Sequence, residues 1–188
     1  MTMDALPDMV SVDGAEYKIR AGHKVILSIF KMLNDPEIAD RDRMMLLRHM
    51  FFVDTAPWDA MGVFALFVRR GGEAAASDGE RDFDYEQDAE EIYSAFMQVY
   101  GIDLISTDLH WWRFSALLTG VFACDNALTN KIRLRHMDDS KDKQKSALER
   151  SKRAAALTNA ISRSEAARTE ELAERLKNGL PISDLLRR

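Results

Sequence analysis

The side chains best suited to bond-making or metal chemistry in this sequence are four histidines, one cysteine and a few groups of acids. His23, His49, His110 and His136 fall in four different segments, and no two are spaced i, i+4. A helical metal pair needs that spacing to put two imidazoles on one face. The expected role of all four is surface or packing. A nucleophilic Cys124 would need a base close by, and no histidine lies near it in the sequence. It is expected to be a small buried apolar residue at a helix end. Being the single cysteine, it also excludes an intramolecular disulfide framework and a Cys-rich zinc site. Asp82, Asp84 and Asp88 start like a calcium loop, but Gln87 stands where the loop needs glycine and Tyr93 where it needs glutamate. Acids at the start of a helix explain these three more simply. Gly71-Gly72 is not followed by Lys-Ser/Thr, so it is not a phosphate loop. Glu90-Glu91 and Asp138-Asp139 read as solvated charge. Nothing converges on an active site, so the expectation is no enzyme, no cofactor and no metal.

Charge is distributed unevenly. Residues 1–100 carry 10 Lys/Arg against 19 Asp/Glu, a net of −9, while residues 101–188 carry 16 against 12, a net of +4; the sum is the chain's −5. The stretch 131–153 holds nine basic and four acidic residues. A small DNA-associated regulatory protein using that stretch is therefore an alternative reading. No zinc-finger, basic-zipper or RNA-recognition signature accompanies it, and nucleic acid is not the expected partner. The N-terminal residues show no basic start and no apolar core of a secretory signal. The longest apolar run, residues 61–68, is far short of a membrane span. The expected location is the cytoplasm, with no membrane contact.

Scarce breakers, nine Gly and four Pro in 188 residues, point to a mainly α fold. The exception is residues 10–19, where Val10 and Val12, then Tyr17 and Ile19, alternate with polar neighbours around Asp13-Gly14. This pattern predicts a β-hairpin, which is marginal alone and must pack on a helix or pair with another chain. Ile26, Ile29, Phe30 and Leu33 at i, i+3, i+4, i+7 predict the first helix, ended by Asn34-Asp35-Pro36. A second is expected over 40–52, capped by Asp40, with Met44, Leu47 and Phe51 inward. A third starts near Thr55-Ala56-Pro57 and runs through Trp58, Met61, Phe64 and Val68, apolar almost all round. Residues 71–83 lose periodicity and read as a surface loop. Asp84 to Gln87 resembles a capping box for a fourth helix that stops at Gly101. Ser106, Thr107 or Asp108 is expected to cap a fifth helix, with Trp111 and Leu118 on one face. A short sixth helix covers 126–136, with Leu128, Ile132 and Leu134 inward. Residues 141–177 lack Pro and Gly and are rich in Ala, Arg, Lys and Glu, which predicts a long helix with a thin stripe of Leu148, Leu157 and Ile161. The expected organisation is a small helical domain with an N-terminal hairpin, residues 1–136, and a basic, Ala-rich helical extension, residues 137–188.

One segment carries a more specific signal: Asp82-Phe83-Asp84-Tyr85, then residues 88–96, then Tyr100-Gly101-Ile102-Asp103-Leu104, then Asp108-Leu109-His110-Trp111-Trp112-Arg113-Phe114. It resembles the phage gene-product-fifteen family, small proteins of the tail-morphogenesis cluster of long-tailed phages, over about residues 17–136. The extension fits no pattern of that family. The resemblance implies a tail assembly chaperone in the host cytoplasm that binds the tape measure protein, keeps it soluble while the tail tube assembles, and is absent from the mature virion. It implies the tail tube protein as a second partner. Self-association through the extension is expected from its length and its weak stripe. The aromatic residues Trp111, Trp112, Phe114 and Tyr100 read as core. The candidate partner-binding residues are the surplus apolar positions Trp58, Met61 and Phe64 of the third helix and Leu148, Leu157 and Ile161 of the extension.

Overall fold

The computed structural model describes residues 6–70, 82–136 and 155–156. Among them are a two-stranded antiparallel sheet, β1 (Met9–Val12) and β2 (Ala15–Lys18), and helices α1 (His23–Asn34), α2 (Asp40–Phe51), α3 (Ala60–Val68), α4 (Ala89–Tyr100), α5 (Trp111–Val121) and α6 (Ala127–Arg135). The protein is mainly helical with an N-terminal hairpin. No helix among the described residues is long and apolar enough to cross a membrane. The 71–81 part of the surface loop and the long extension helix, with its Leu148, Leu157 and Ile161, lie outside the described residues.

The hairpin forms where the sequence places it. Asp13 and Gly14 have φ of 52° and 79°, the pair of positive values that a twisted two-residue turn requires. Tyr17 sets its ring edge-on to Phe52 at 6.2 Å, so the hairpin is packed on the C-terminal end of α2. Arg20 completes the join. Its peptide N–H donates to Phe51 O at 2.7 Å, and its guanidinium donates to the carbonyls of His49 and Phe52. A cation there satisfies carbonyls that the helix end leaves open.

The core is aromatic. Phe51, Phe96 and Phe114 are wholly buried, along with Ile26, Ile29 and Leu47. Phe114 stacks on Phe96 at 5.1 Å and on Trp111 at 5.6 Å. Such ring pairs add to the stabilisation from area alone. Of the residues expected to face inward on α2, Leu47 and Phe51 are buried and Met44 is half-buried. Gly101 ends α4 with φ 65°, a left-handed stop that glycine adopts without strain.

Several helix starts differ from expectation. Ala39, not Asp40, occupies the N-cap of α2, and Asp40 sits in the first turn. α3 begins at Ala60, because Asp59 accepts the Gly62 N–H at 2.9 Å and fixes the cap there. Trp58 thus precedes the helix. Asp84 accepts from the Glu86 and Gln87 peptides, yet it closes only a turn; the helix proper follows Asp88. α5 is capped by His110, whose Nδ1 accepts the Trp112 N–H at 3.1 Å. Asp108 is not the cap, because its carboxylate goes to His23 instead. Cys124 is exposed, not buried, because the chain has already left α5 and is turning toward Asn126.

Candidate functional site

The α3–α5 seam fixes one wall of the site. Both indoles of the Trp pair reach the C-terminal end of α3: Trp111 donates to Val68 O at 3.1 Å and Trp112 to Phe67 O at 2.8 Å. Arg70 returns a bond to Trp112 O at 2.9 Å. The Val68 carbonyl at the open end of α3 is thus satisfied by its neighbour, and the Phe67 carbonyl takes a second bond beside that from the Arg70 N–H. Trp111 is buried and Trp112 half-buried against Phe67, so these rings serve the fold.

Between α3 and β1 lies an open groove of about 500 Å³. Its apolar lining comes from Met9, Val10 and Val12 on the strand side and Val63, Leu66, Phe67 and Trp112 on the helix side. Asp59 lies toward one end of α3 and Arg70 toward the other. Leu66 is 57% exposed, and Trp58, beside Asp59, is 95% exposed. An unburied Trp contributes nothing to the core, and Leu66 adds exposed apolar surface to the groove wall.

The candidate residues divide accordingly. Trp58 is exposed and Met61 half-buried. Phe64 is not available to a partner: it is 3% exposed, with its ring against Phe30 at 5.9 Å and Phe51 at 5.2 Å. The residues that line the groove from β1, and Leu66 from α3, were not singled out by the sequence. The alternation in the hairpin was legible, but its position beside α3 was not.

A second cluster was missed altogether. Asp88 is wholly buried and accepts from Arg135 through both oxygens, at 2.5 and 2.9 Å. Lys131 lies 2.9 Å from Asp88 and 2.9 Å from Glu91. Burial raises the Asp88 pKa, but its bonds from Arg135, the Asp84 peptide and Lys131 outweigh that and hold it below the usual carboxylate range. Burial likewise pulls Lys131 down, and its two carboxylate partners more than restore it. Arg135 also donates to Asp82 O and, through Nε, to Ala155 O at 2.5 Å. Ala155 is buried, so the extension touches its own domain at this point. Arg133 pairs with Asp125 at 3.0 Å. The described part of the basic stretch is therefore bonded within the protein.

His23 is the third polar feature. It is 2% exposed and stacks on Phe114 at 5.0 Å. Its Nδ1 lies 3.1 Å from Asp108 Oδ1 and 3.1 Å from the Leu109 N–H. Burial lowers its pKa below the ordinary value, with Asp108 and Leu109 opposing and Lys24 assisting. Among the described residues, no group of three or more His, Cys, Asp or Glu is placed to hold a metal ion.

The model of the Bacteriophage Gp15 protein family matches residues 2–158. The chain belongs to this family. The Gp15 match is wider than the resemblance read from the sequence, taking in β1 and residues beyond 136. The whole groove, from Pro7 to Trp112, lies within it, as does the Asp88–Arg135 cluster. No curated protein and no solved structure matches the chain.

Proposed function

We propose that the protein is a phage tail assembly chaperone that binds the tape measure protein in the host cytoplasm and leaves before the virion matures. Family membership supplies the phage context. The observation that carries the reading further is the open apolar groove between β1 and α3, with Leu66 exposed on its wall. A chaperone for a long client with apolar stripes needs such a surface, shallow enough to release what it covers. Many copies along one client would add avidity to weak single contacts. In this reading the protein is not an enzyme and uses no cofactor. The tail tube protein is a second partner, and self-association through the extension would present repeated grooves to the client.

The DNA-associated alternative would need free cations along 131–153. The three of them that are described, Lys131, Arg133 and Arg135, instead face Asp88, Glu91 and Asp125, which favours the chaperone reading. The test is co-expression with the tape measure protein of the same phage. The expected result is soluble tape measure that co-purifies with the chaperone. Tape measure that remains insoluble or passes through unbound would overturn the proposal.

A further inference from the structure

We infer that β1 takes up an extended segment of the client as a third strand, laid in the groove against α3; the source of that segment rests on the chaperone reading above. The groove touches all four residues of β1 and none of β2, so it runs along the strand's outer edge. The register is Val12↔Ala15, Ser11↔Glu16, Val10↔Tyr17 and Met9↔Lys18. In a two-residue hairpin the pair closing the turn is hydrogen-bonded, and bonded and non-bonded pairs then alternate. The Ile19 N–H donating to Asp8 O at 2.8 Å continues that alternation. Val10 and Val12 therefore turn their peptide groups to β2, while Met9 and Ser11 turn theirs outward, along the groove. Among the described residues neither of these two is bonded outside the ladder.

That edge discriminates between occupants. A helix bonds its own backbone, so covering the groove with one would desolvate the Met9 and Ser11 peptides without pairing them. A strand pairs them and directs alternate side chains onto Val63, Leu66, Phe67 and Trp112. Charge defines the fit along its length. Asp59 and Arg70 flank α3, about 16 Å apart at 1.5 Å per helical residue, the length of about five extended residues. The matching segment is thus about five residues with alternate apolar side chains, a base at the Asp59 end and an acid at the Arg70 end. Asp59 and Arg70 are both exposed.

The experiment compares the full-length wild-type chain with Ser11→Pro in capture of the co-expressed tape measure protein, alongside amide exchange in the wild-type complex. Proline removes the outward N–H, which the β1–β2 ladder does not use. The expected result is at least a tenfold loss of captured tape measure at an unchanged melting temperature, with slowed exchange at the Met9 and Ser11 amides of the wild-type complex. If Ser11→Pro fails to fold, the wild-type exchange alone decides: unslowed Met9 and Ser11 amides overturn strand addition. Equal capture by both proteins overturns it too and leaves the chaperone reading standing. A Ser11→Pro variant that changes only the mass by light scattering assigns the edge to a second copy of this chain and overturns the inference. Wild type that captures nothing overturns the chaperone reading along with it.

Discussion

Asp88, Glu91, Lys131 and Arg135 neutralise one another where α4 meets α6, whereas the groove between β1 and α3 leaves Leu66, Met9 and the neighbouring Trp58 uncovered. The seam joins two helices, and the groove lies between a strand and a helix. They differ in whether local bonding partners are complete. At the α4–α6 seam a carboxylate with no solvent contact is tolerated because both of its oxygens are bonded. At the groove the strand's outer peptide groups and the helix's outer apolar side chains have no such closure among the described residues. A buried ion pair is a costly way to join two helices compared with apolar packing, but it fixes one register. Among the described residues no side chain closes the groove with bonds of comparable specificity. The seam therefore holds the frame, and on the proposed reading the groove is the face that meets the client.

The largest expected effect tests the seam. Arg135→Ala would leave Asp88 buried without its main partner and would also release Asp82 and Ala155. Breaking a buried pair from one side costs about 3–5 kcal/mol, a large share of a stability of about 5–15 kcal/mol. Urea denaturation should show it. A loss below about 1 kcal/mol would mean that water reaches Asp88 and that the seam is no more closed than the groove. Replacing both partners together, as in Asp88→Leu with Arg135→Leu, should cost less than the sum of the single changes.

The second contrast uses two tryptophans. Trp111→Ala removes a buried ring and the bond to Val68 O, and should cost about 3–5 kcal/mol. Trp58→Ala removes a ring in solvent and should change stability by no more than about 0.5 kcal/mol. Thermal melts of the two variants would reverse the assignment of frame and face if Trp58→Ala proved the more damaging.

What was legible in the sequence follows the same division. The hairpin could be read because Asp13-Gly14 is a local signal, and the end of α4 because Gly101 is. The inward positions Leu47 and Phe51 followed from helical spacing. Asp88 was read as a helix-start acid because spacing cannot show a cation 47 residues away. Phe64 was placed among the binding residues because a nine-residue helix that is apolar nearly all round carries no periodic signal of which face turns in. The α5 cap was misplaced for a related reason: Asp108 is a good cap by type, but the buried His23 holds its carboxylate. For Asp88 and Asp108 a long-range contact overrides a sound local preference, whereas at Phe64 there was no local signal to override.

The pH dependence separates His23 from the seam. His23 has a folded pKa below its unfolded value of about 6.5, so the unfolded chain binds the proton more readily. Stability from this site is full above pH 6.5 and falls as pH drops through the folded pKa. The slope cannot exceed about 1.4 kcal/mol per pH unit. Asp88 is also depressed, so its contribution is present above about pH 4 and is lost only below that. Chemical denaturation from pH 7 to 5 should therefore show a decline that His23→Gln removes and that Asp88→Asn leaves in place.

The smallest expected effect on stability belongs to the groove, and it separates the two regions most cleanly. Leu66 is more than half exposed, so Leu66→Lys deletes little buried surface, and surface changes of this kind stay within about 0.5 kcal/mol. The lysine would, however, set a hydrated charge on the wall that a client's apolar side chains must meet. Desolvating that charge on docking is unfavourable, so client capture should fall sharply while the melting temperature stays at the wild-type value. The seam variant Arg135→Ala should show the reverse, unfolding at lower urea while whatever fraction remains folded still captures client. Leu66→Lys protein that captures tape measure as well as wild type would remove the α3 wall from the binding surface and leave Trp58 and the β1 edge to account for it.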